Sequence, residues 1–274
     1  MLRYATGRRM RQARTILMGG ICMGNTVLSA KGLCKTFAGK GMQQQVLKNL
    51  DLEIREGDFT VIMGSSGAGK STLLYALSGM DQPTDGEIHF GHEKISGYDN
   101  DELALFRRKN CGFVFQQVYL MDNMSLMDNA MACGLLVSKD KKAIAAKAED
   151  LFERVGIRQD IREKFPAQLS GGEAQRGGIV RALINDPKVL FADEPTGSLN
   201  SSAGQAVLDI LTEINNNGQS VVMVTHDIKS ALRGNRIIYM KDGAICDECA
   251  LDIYHPTDTQ RSASLHAFLA GMGW

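Results

Sequence analysis

Residues 64–72 read GSSGAGKST, and they constrain this chain more than any other stretch. The apolar, β-branched run Phe59–Met63 comes directly before them, and the helix-compatible residues TLLYALSG begin at Thr72. The pattern G-x-x-x-x-G-K-S between a strand and a helix is the fingerprint of a loop that holds phosphate groups. The sequence therefore predicts a phosphate-binding loop at this junction, the alternative being a loop with a purely structural role.

The residue types of this loop suit a nucleotide bound together with magnesium. Glycines let backbone N–H groups turn inward around phosphate oxygens, and the N-terminus of the following helix adds partial positive charge. Lys70 is expected to reach the β- and γ-phosphates, and the Ser71 hydroxyl to ligate Mg²⁺. The residues predicted to bind the phosphates of a nucleotide are Gly64, Ser65, Ser66, Gly67, Ala68, Gly69, Lys70, Ser71 and Thr72.

Two further apolar runs end in residues that can act on a phosphate. Lys188–Ala192 is followed by Asp193 and Glu194, and Ser220–Val224 is followed closely by His226. Asp193 can hold the metal ion through water, Glu194 can orient and deprotonate the attacking water, and His226 can hydrogen-bond the γ-phosphate. The alternatives are solvated or helix-capping carboxylates and a structural histidine.

Short apolar runs alternate with segments of helical period along the chain. Such alternation predicts an α/β fold with a largely parallel sheet, whose ligand lies at the carboxyl edge of the strands. From about residue 121 to 184 the pattern is nearly all helical, with stripes such as Ile144, Ala148 and Leu151. This stretch predicts a helical lobe inserted into the sheet domain.

Composition excludes several classes of protein. The chain has 274 residues, of which 44% are apolar and 23% charged, so it is neither a disordered polymer, a collagen-like fibre nor a small disulfide scaffold. Its formal net charge is zero, which argues against a protein that coats nucleic acid, and no direct nucleic-acid partner is expected. Five of the 31 basic residues are arginines within residues 1–14, leaving a mildly acidic remainder.

The basic residues at the start of the sequence allow three interpretations. They precede an uncharged stretch with the outline of a signal peptide, although its apolar part is interrupted and lacks a clean cleavage site. A disordered basic leader and an upstream start codon before a natural start at Met23 are the other two. No apolar run reaches the roughly 18–20 residues that span a bilayer, so we expect no membrane-spanning segment in this chain.

Six cysteines are scattered along the chain except for the pair Cys246 and Cys249. His255 and His266 follow this pair, which allows a metal site, but a zinc knuckle requires a second close pair that the sequence lacks. Reduced thiols on a terminal strand or turn are the other interpretation. Scattered thiols are typical of a reducing cytoplasm.

The segment LSGGEAQR, Leu169–Arg176, lies about 100 residues after the phosphate loop. Together with that loop, Gln116 in GFVFQQ, DEPTGSLN at Asp193–Asn200 and VTHD, it resembles the nucleotide-binding subunit of an ABC transporter. The resemblance covers roughly residues 26–247. The phrases FRRKNCGFVFQQ and FADEPTGSLN resemble one branch in particular, the bacterial ATPases of lipoprotein release, macrolide export and antimicrobial-peptide resistance.

The resemblance implies a domain organisation. It implies a P-loop NTPase fold of ABC type over residues 26–254, with a mostly parallel sheet core, an antiparallel β part and an inserted helical lobe at about 117–184. Residues 1–25 are then a basic extension, expected to be disordered. Residues 255–274 form a C-terminal tail that is expected to be helical.

The resemblance also implies roles for residues outside the phosphate loop. Phe37 matches the aromatic residue that stacks on adenine, the alternative being a core phenylalanine. Gln116 matches the glutamine that touches Mg²⁺ and senses the γ-phosphate. Ser170 and Gly172 match residues that close over ATP bound to the opposite subunit, so the resemblance implies a head-to-tail dimer, most simply a homodimer, around two ATP molecules.

Two departures from the family pattern stand out. Asn200 occupies a position where the family usually has aspartate, which suggests altered communication between the two ATP sites. Gly177 and Gly178 follow the signature, where each glycine costs a helix interior roughly 1 kcal/mol relative to alanine. The sequence therefore predicts a less rigid signature helix than in other members of the family.

The function implied is ATP hydrolysis that drives a separate membrane permease. The helical lobe is expected to face that permease, with Tyr119, Leu120 and Met127 as contacts, and the chain to lie peripherally on the cytoplasmic face of the membrane. Export or extraction of lipophilic or peptide cargo is favoured over import. The alternatives are an ABC-type ATPase of translation or DNA repair that is not coupled to transport, and a protein that binds ATP without hydrolysing it.

Overall fold

A computed structural model describes residues 25–39 and 42–274. The predicted basic extension of residues 1–25 therefore lies, apart from its last residue, outside the described residues. The strands are β1 (Thr26–Gly39), β2 (Met42–Arg55), β3 (Phe59–Gly64), β4 (Asp85–Phe90), β5 (Glu93–Lys94), β6 (Cys111–Phe115), β7 (Val189–Asp193), β8 (Ser220–Val224), β9 (Arg236–Lys241) and β10 (Ala244–Ala250).

Helices surround and interrupt these strands. They are α1 (Lys70–Leu77), α2 (Asn100–Asn110), α3 (Leu126–Gly134), α4 (Lys141–Arg154), α5 (Gln159–Arg162), α6 (Gly171–Leu183), α7 (Ser201–Asn216), α8 (Ile228–Ala231) and α9 (Gln260–Gly271). A 3₁₀ turn at Pro166–Gln168 precedes α6.

The strands form two sheets. In the larger sheet the order is β10-β9-β3-β8-β7-β6, and all pairs are parallel except β10 with β9. In the smaller sheet the order is β2-β1-β4-β5, and every pair is antiparallel. Helices α3 to α6 follow one another between β6 and β7. The predicted α/β fold, with a mostly parallel sheet, an antiparallel part and a helical insertion, is confirmed.

The central strands β3, β7 and β8 of the larger sheet are buried on both faces, which explains why they are apolar without alternation. Val61 and Met63 on β3 pack into one hydrophobic layer together with residues of α4, α6, α7 and α9. Ile62, between them, packs into a second layer with residues of α1 and of the smaller sheet. Successive side chains of a strand point to opposite faces, so helices or the second sheet cover each side.

The parallel register brings four strand ends to one edge. Ile62 near the end of β3 is opposite Val224 at the end of β8, and Val224 is opposite Asp193 at the end of β7. Phe115 at the end of β6 is in turn opposite Asp193. The loops that follow these strands therefore leave the sheet side by side.

Close packing explains the two glycines of α6. A Cβ atom on Gly177 would lie 2.3 Å from Cδ2 of Leu126 on α3, and one on Gly178 would lie 2.7 Å from Cγ1 of Val118. Both glycines are buried. The sequence suggested a loosened helix, whereas the structure gives the glycines a packing role, since they let α3 and the segment after β6 approach α6 closely.

Two remaining sequence questions concern the membrane and the cysteine pair. No helix in the described part of the chain has both the length and the apolar character needed to cross a bilayer. Cys246 and Cys249 are free thiols on β10. Among residues 25–39 and 42–274, no group of three or more His, Cys, Asp or Glu side chains could hold a metal ion, which favours the thiol interpretation.

Candidate active site

The loop between β3 and α1 needs glycine at both of its ends. Gly64 has φ +153°, and a Cβ there would lie 2.2 Å from the Met240 carbonyl oxygen. Gly69 has φ +96°, and a Cβ there would lie 3.0 Å from the Val46 carbonyl oxygen. A side chain would meet the backbone of β9 at Gly64 and the backbone of β2 at Gly69, so the packing of the loop against these two strands requires glycine at both positions.

Lys70 begins α1 and is nearly buried, with 9% of its surface exposed. Its Nζ donates hydrogen bonds to the carbonyl oxygens of Gly64, at 2.8 Å, and Ser65, at 2.9 Å. Burial lowers the pKa of Lys70, while the nearby carboxylates of Glu194 and Asp193 act in the opposite direction. An ammonium group has three N–H donors, so one remains for a phosphate oxygen.

Asp193, at the end of β7, receives hydrogen bonds from two residues of α1. The Ser71 hydroxyl donates to Oδ1 at 2.9 Å, and the Tyr75 hydroxyl donates to Oδ2 at 2.8 Å. Burial, together with this hydrogen bond to Asp193, raises the pKa of Tyr75, so its hydroxyl remains a donor. The sequence did not indicate a role for Tyr75, because its position in α1 fits an ordinary core-facing residue.

The oxygen donors around Asp193 suit Mg²⁺. This ion is usually held by one or two carboxylates with hydroxyl, water and phosphate oxygens, and a hydroxyl and a carboxylate lie 2.9 Å apart here. Gln116 lines the same cleft as Ser71 and Asp193, so its side-chain oxygen is a further candidate ligand. The residues present therefore fit a magnesium ion that is shared with a nucleotide.

Glu194 is held in an unusual position beside the end of β8. Its backbone has φ +46°, which is uncommon for a residue other than glycine, asparagine or aspartate. Its carboxylate accepts hydrogen bonds from the Thr225 hydroxyl at 3.0 Å and the His226 backbone N–H at 3.1 Å. Nδ1 of the His226 ring lies 2.7 Å from the same carboxylate. The strained backbone and three contacts fix Glu194 at the edge of the cleft.

The cleft beside the loop has a volume of about 730 Å³. It brings together predicted residues from three strand ends, Lys70, Glu194 and His226 among them. The complete lining is Gln44, Val46, Ser66, Gly67, Gly69, Lys70, Ser71, Thr72, Glu194, His226 and Trp274. Gln44, Val46 and Trp274 were not expected from the sequence, because they belong to none of the motifs.

Phe37 is not among the described residues that line this cleft. It lies on β1 opposite Gln44, which does line the cleft. The Phe37 ring is 47% exposed, which rules out the alternative of a core phenylalanine. Its stacking on adenine therefore stays a prediction.

Gln116 follows the end of β6. Its backbone carbonyl accepts a hydrogen bond from the Ser198 hydroxyl at 2.9 Å, and its side chain lies so close to Gly197 that a Cβ there would be 2.9 Å from Nε2. A second cleft, of about 590 Å³, contains Gln116 together with Ser71, Asp193 and Glu194. Gln116 thus borders the predicted metal ligands while its backbone belongs to the start of the helical insertion.

Ser170 and Gly172 lie in a different cleft from Lys70. That cleft has a volume of about 440 Å³ and also contains Asn200. Ser170 is the N-cap of α6, and its hydroxyl and the Glu173 carboxylate form a reciprocal capping box. The capping box engages the N–H groups of Ser170 and Glu173, whereas those of Gly171 and Gly172, in the first turn of α6, have no partner within the helix.

Asn200 is the N-cap of α7. Its side-chain oxygen accepts a hydrogen bond from the Ala203 N–H at 2.9 Å and from the Ser202 hydroxyl at 3.1 Å. Asparagine and aspartate are equally good N-caps, so the departure at this position leaves the start of α7 intact.

Buried hydrogen bonds tie the segment after β6 to α6. Gln175 on α6 donates to the Phe115 carbonyl oxygen at 3.0 Å. Arg181, also on α6, donates to the carbonyl oxygens of Val118, at 2.7 Å, and Tyr119.

The three predicted permease contacts differ in exposure. Tyr119 is 62% exposed, whereas Leu120 and Met127 are partly buried against the core. Other apolar side chains of the helical insertion are more exposed than these two and were missed because helical periodicity does not mark them. They are Met121, Met124, Leu135, Leu136 and Val137.

Comparison with known proteins places this geometry among ATP-binding cassettes. The family model described as ABC transporter matches residues 47–197. A lipoprotein-releasing system ATP-binding protein, LolD of Aquifex aeolicus, is 40% identical over 222 residues, covering 81% of this chain and 97% of the relative. A macrolide export ATP-binding/permease protein, MacB of Wolinella succinogenes, is 38% identical over 223 residues, covering 81% of this chain. The matched region spans only 34% of that longer relative.

A solved structure shares the fold. It is the dimeric structure of a post-hydrolysis state of the ATP-binding cassette MJ0796 bound to ADP and Pi, at a TM-score of 0.77 and 36% sequence identity. The similarity covers 83% of this chain and 100% of that cassette.

Proposed function

The chain belongs to the ABC transporter family and is an ATPase of that family, and we propose that it powers a separate membrane permease. The observation that carries the proposal is the convergence of Lys70, Asp193, Glu194 and His226 beside one phosphate loop. Each of these four groups has a role in ATP hydrolysis.

The phosphate chain of ATP is held by the loop. Backbone N–H groups of residues 65–71 surround the β-phosphate, and the third N–H of the Lys70 ammonium reaches the γ-phosphate. Ser71, Asp193 and Gln116 would hold Mg²⁺, which neutralises charge on the β- and γ-phosphates when it is bound. The buried position of Lys70 strengthens its attraction for the phosphates, because water screens a buried charge less.

Glu194 is the general base in this proposal. Its carboxylate accepts hydrogen bonds from Thr225 and from the backbone of His226, which orient it without neutralising it. A water molecule beside the γ-phosphate can then donate a proton to Glu194 as its oxygen attacks the γ-phosphorus. The bond from this phosphorus to the oxygen that bridges the β- and γ-phosphates breaks, and the products are ADP and inorganic phosphate. The His226 ring, 68% exposed and hydrogen-bonded to Glu194, holds the base and borders the γ-phosphate.

A second subunit completes each ATP site in the proposal. Ser170 and Gly172 line a cleft separate from that of Lys70, so this cleft is available to a nucleotide on another chain. The likeness to a dimeric cassette supports a head-to-tail homodimer with two ATP molecules between the subunits. ATP binding would close this dimer, and hydrolysis would open it.

The permease is the proposed partner of the helical insertion. Exposed apolar side chains, including Tyr119 and Leu136, offer a contact surface for a cytoplasmic segment of such a partner. The names of the relatives refer to lipoprotein release and macrolide export. They support export or extraction of lipophilic or peptide cargo, with this chain peripheral on the cytoplasmic face of the membrane.

Substitution of the base tests the proposal. Glu194→Gln should lower the rate of ATP hydrolysis at least about 10²-fold, because the amide cannot accept the proton. The variant should retain ATP and double in mass when MgATP is added, as measured by light scattering on a sizing column. Glu213→Gln makes the same chemical change on an exposed face of α7 and should behave as wild type. Undiminished hydrolysis by Glu194→Gln would refute the role of this residue.

A further inference from the structure

One wall of the nucleotide cleft comes from outside every sequence motif. Trp274 lines the cleft together with Lys70, Glu194 and His226. It lies well beyond residues 47–197, which match the family model. Its side chain is 43% exposed, and it is the single tryptophan of the sequence.

Helix α9 anchors this residue to the core. Leu265 and Leu269 are fully buried in the hydrophobic layer that also contains Met63 and Tyr239. The buried guanidinium of Arg261 donates to the carbonyl oxygens of Leu232, Gly234 and Asp252. Because these contacts come from both ends of the helix, the position of its C-terminus is fixed relative to the sheet.

The helix end directs the indole towards the cleft. The Gly273 N–H donates to the Ala270 carbonyl oxygen at 3.1 Å, and the Trp274 N–H donates to the Leu269 carbonyl oxygen at 3.1 Å. These two bonds, with Gly273 at φ +78°, make up a Schellman cap that reverses the chain. The indole and the Tyr239 ring then pack nearly perpendicular to each other, with centroids 6.1 Å apart. Tyr239 is opposite Met63, next to the start of the phosphate loop.

We propose that Trp274 is a further residue of the nucleotide site and contacts bound ATP at its γ-phosphate end. Among the described residues, it lines the cleft that also contains Glu194 and His226, the two side chains that the proposed mechanism places beside the γ-phosphate. The edge of an indole ring is electropositive and carries an N–H donor, both of which favour an anionic phosphate. The inference rests on the proposed ATP site and adds a residue that distinguishes ATP from ADP.

The single tryptophan allows a direct test. Acrylamide quenching of Trp274 fluorescence is measured in the Glu194→Gln protein, which keeps ATP intact, with and without MgATP. The measurement is made at protein concentrations low enough for light scattering to show a monomer, and again at concentrations where the mass doubles. A bound γ-phosphate should shield the indole and reduce the quenching constant about twofold, given its exposed fraction of 43%. The same protein with MgADP should show a smaller reduction. Equilibrium dialysis with labelled nucleotide measures binding in parallel.

Variants of the residue give a second, independent readout. Trp274→Ala should weaken MgATP binding by roughly tenfold and MgADP binding by less, since a hydrogen bond to a charged group is lost. Trp274→Phe keeps the aromatic ring without the N–H and should fall between Trp274→Ala and wild type. Ile253→Ala removes an exposed apolar side chain that does not line the cleft, and it should bind both nucleotides as wild type does.

Three results would overturn the inference. The first is unchanged quenching when dialysis shows nucleotide bound, and the second is wild-type ATP affinity in Trp274→Ala. The third is a change in quenching that occurs only when the mass doubles, since that would place the indole against the second subunit instead. If dialysis shows no nucleotide bound to wild type, the proposed ATP site itself is refuted.

Discussion

At the scale of single residues, the orientation of the Asp193 carboxylate depends on two side chains from one face of α1. Ser71 and Tyr75 are four residues apart, so both side chains lie on the same side of the helix and reach the two carboxylate oxygens of Asp193. The phosphate-loop pattern predicts Ser71, because its position in the motif is fixed. It cannot predict Tyr75, since this contact depends on the packing of α1 against β7, more than 100 residues away.

Removal of the Tyr75 hydroxyl should weaken metal binding. When Mg²⁺ draws the Ser71 hydroxyl to itself, Tyr75 remains as the donor that orients the carboxylate of Asp193. We expect Tyr75→Phe to raise the Mg²⁺ concentration for half-maximal ATP hydrolysis by about tenfold, the usual effect of losing such a supporting hydrogen bond. Calorimetric titration of Mn²⁺ into the ATP-bound Glu194→Gln protein should show the same loss of affinity without turnover.

Tyr98→Phe is the matched control for this substitution. It removes the same hydroxyl from a tyrosine that bonds Glu93, away from the cleft. Its Mg²⁺ dependence should equal that of wild type. Equal Mg²⁺ affinity in Tyr75→Phe and Tyr98→Phe would mean that Tyr75 only fills space beside Asp193.

The arrangement around Glu194 shows the limit of sequence interpretation at this scale. Motifs at the ends of β7 and β8 predict that Glu194 and His226 are neighbours, because parallel strands end at one edge. They do not reveal the positive φ of Glu194 or the hydrogen bond from Thr225. Both features depend on tertiary contacts, and the backbone preference of glutamate disfavours the positive φ.

At the scale of elements, the position of α6 depends on two residues without side chains, Gly177 and Gly178. Helix propensity alone makes Gly177 and Gly178 unfavourable, and that is how the sequence was interpreted. In the fold, the missing side chains make room for Leu126 and Val118. Helix α6 can then lie close enough to β6 for Gln175 to reach the Phe115 carbonyl oxygen.

An alanine at Gly177 should therefore destabilise the protein. The added Cβ would lie 2.3 Å from Leu126, and such overpacking typically costs more than the roughly 1 kcal/mol that alanine contributes to a helix. We expect Gly177→Ala to lower the free energy of unfolding by about 1 kcal/mol in urea titrations.

Gly204→Ala is the control, because a Cβ there would meet only Thr196 at an ordinary 3.6 Å. This substitution in α7 should raise the free energy of unfolding by up to about 1 kcal/mol. If both alanines were stabilising, α6 and α3 would not be in close contact at Gly177.

The two long strands β1 and β2 were harder to predict from the sequence than the helices and the buried strands of the larger sheet. Continuous apolar runs mark β3, β7 and β8, since both faces of the larger sheet are covered. The 14-residue strands β1 and β2 lack such a mark. Their pairing contains several register shifts, which interrupt the alternation of apolar and polar residues that would otherwise indicate a strand.

At the scale of the whole molecule, the two halves of the proposed ATP site are on different parts of one chain. Lys70 and Glu194 share one cleft, while Ser170, Gly172 and Asn200 share another. The sequence predicts each half from its own motif. That they serve different nucleotides followed only from the family resemblance, because no pattern within one chain specifies a contact between two copies.

Mixing two inactive variants tests this division. Lys70→Ala removes the phosphate-loop cation, and Ser170→Asp places a negative charge where the nucleotide of the other subunit would bind. Aspartate is as good an N-cap as serine, so α6 should still begin normally in Ser170→Asp. Neither homodimer should hydrolyse ATP, because in each one both sites are defective.

A mixed dimer regains one complete site. There, the phosphate loop of the Ser170→Asp chain meets the intact Ser170 region of the Lys70→Ala chain. Random pairing makes half of the dimers mixed, each with one working site of two, so an equal mixture should recover about a quarter of the wild-type rate. A chain with both substitutions, mixed with either single variant, should restore nothing. If the equal mixture of single variants also stayed inactive, each site would belong to one chain alone, and the head-to-tail arrangement would be wrong.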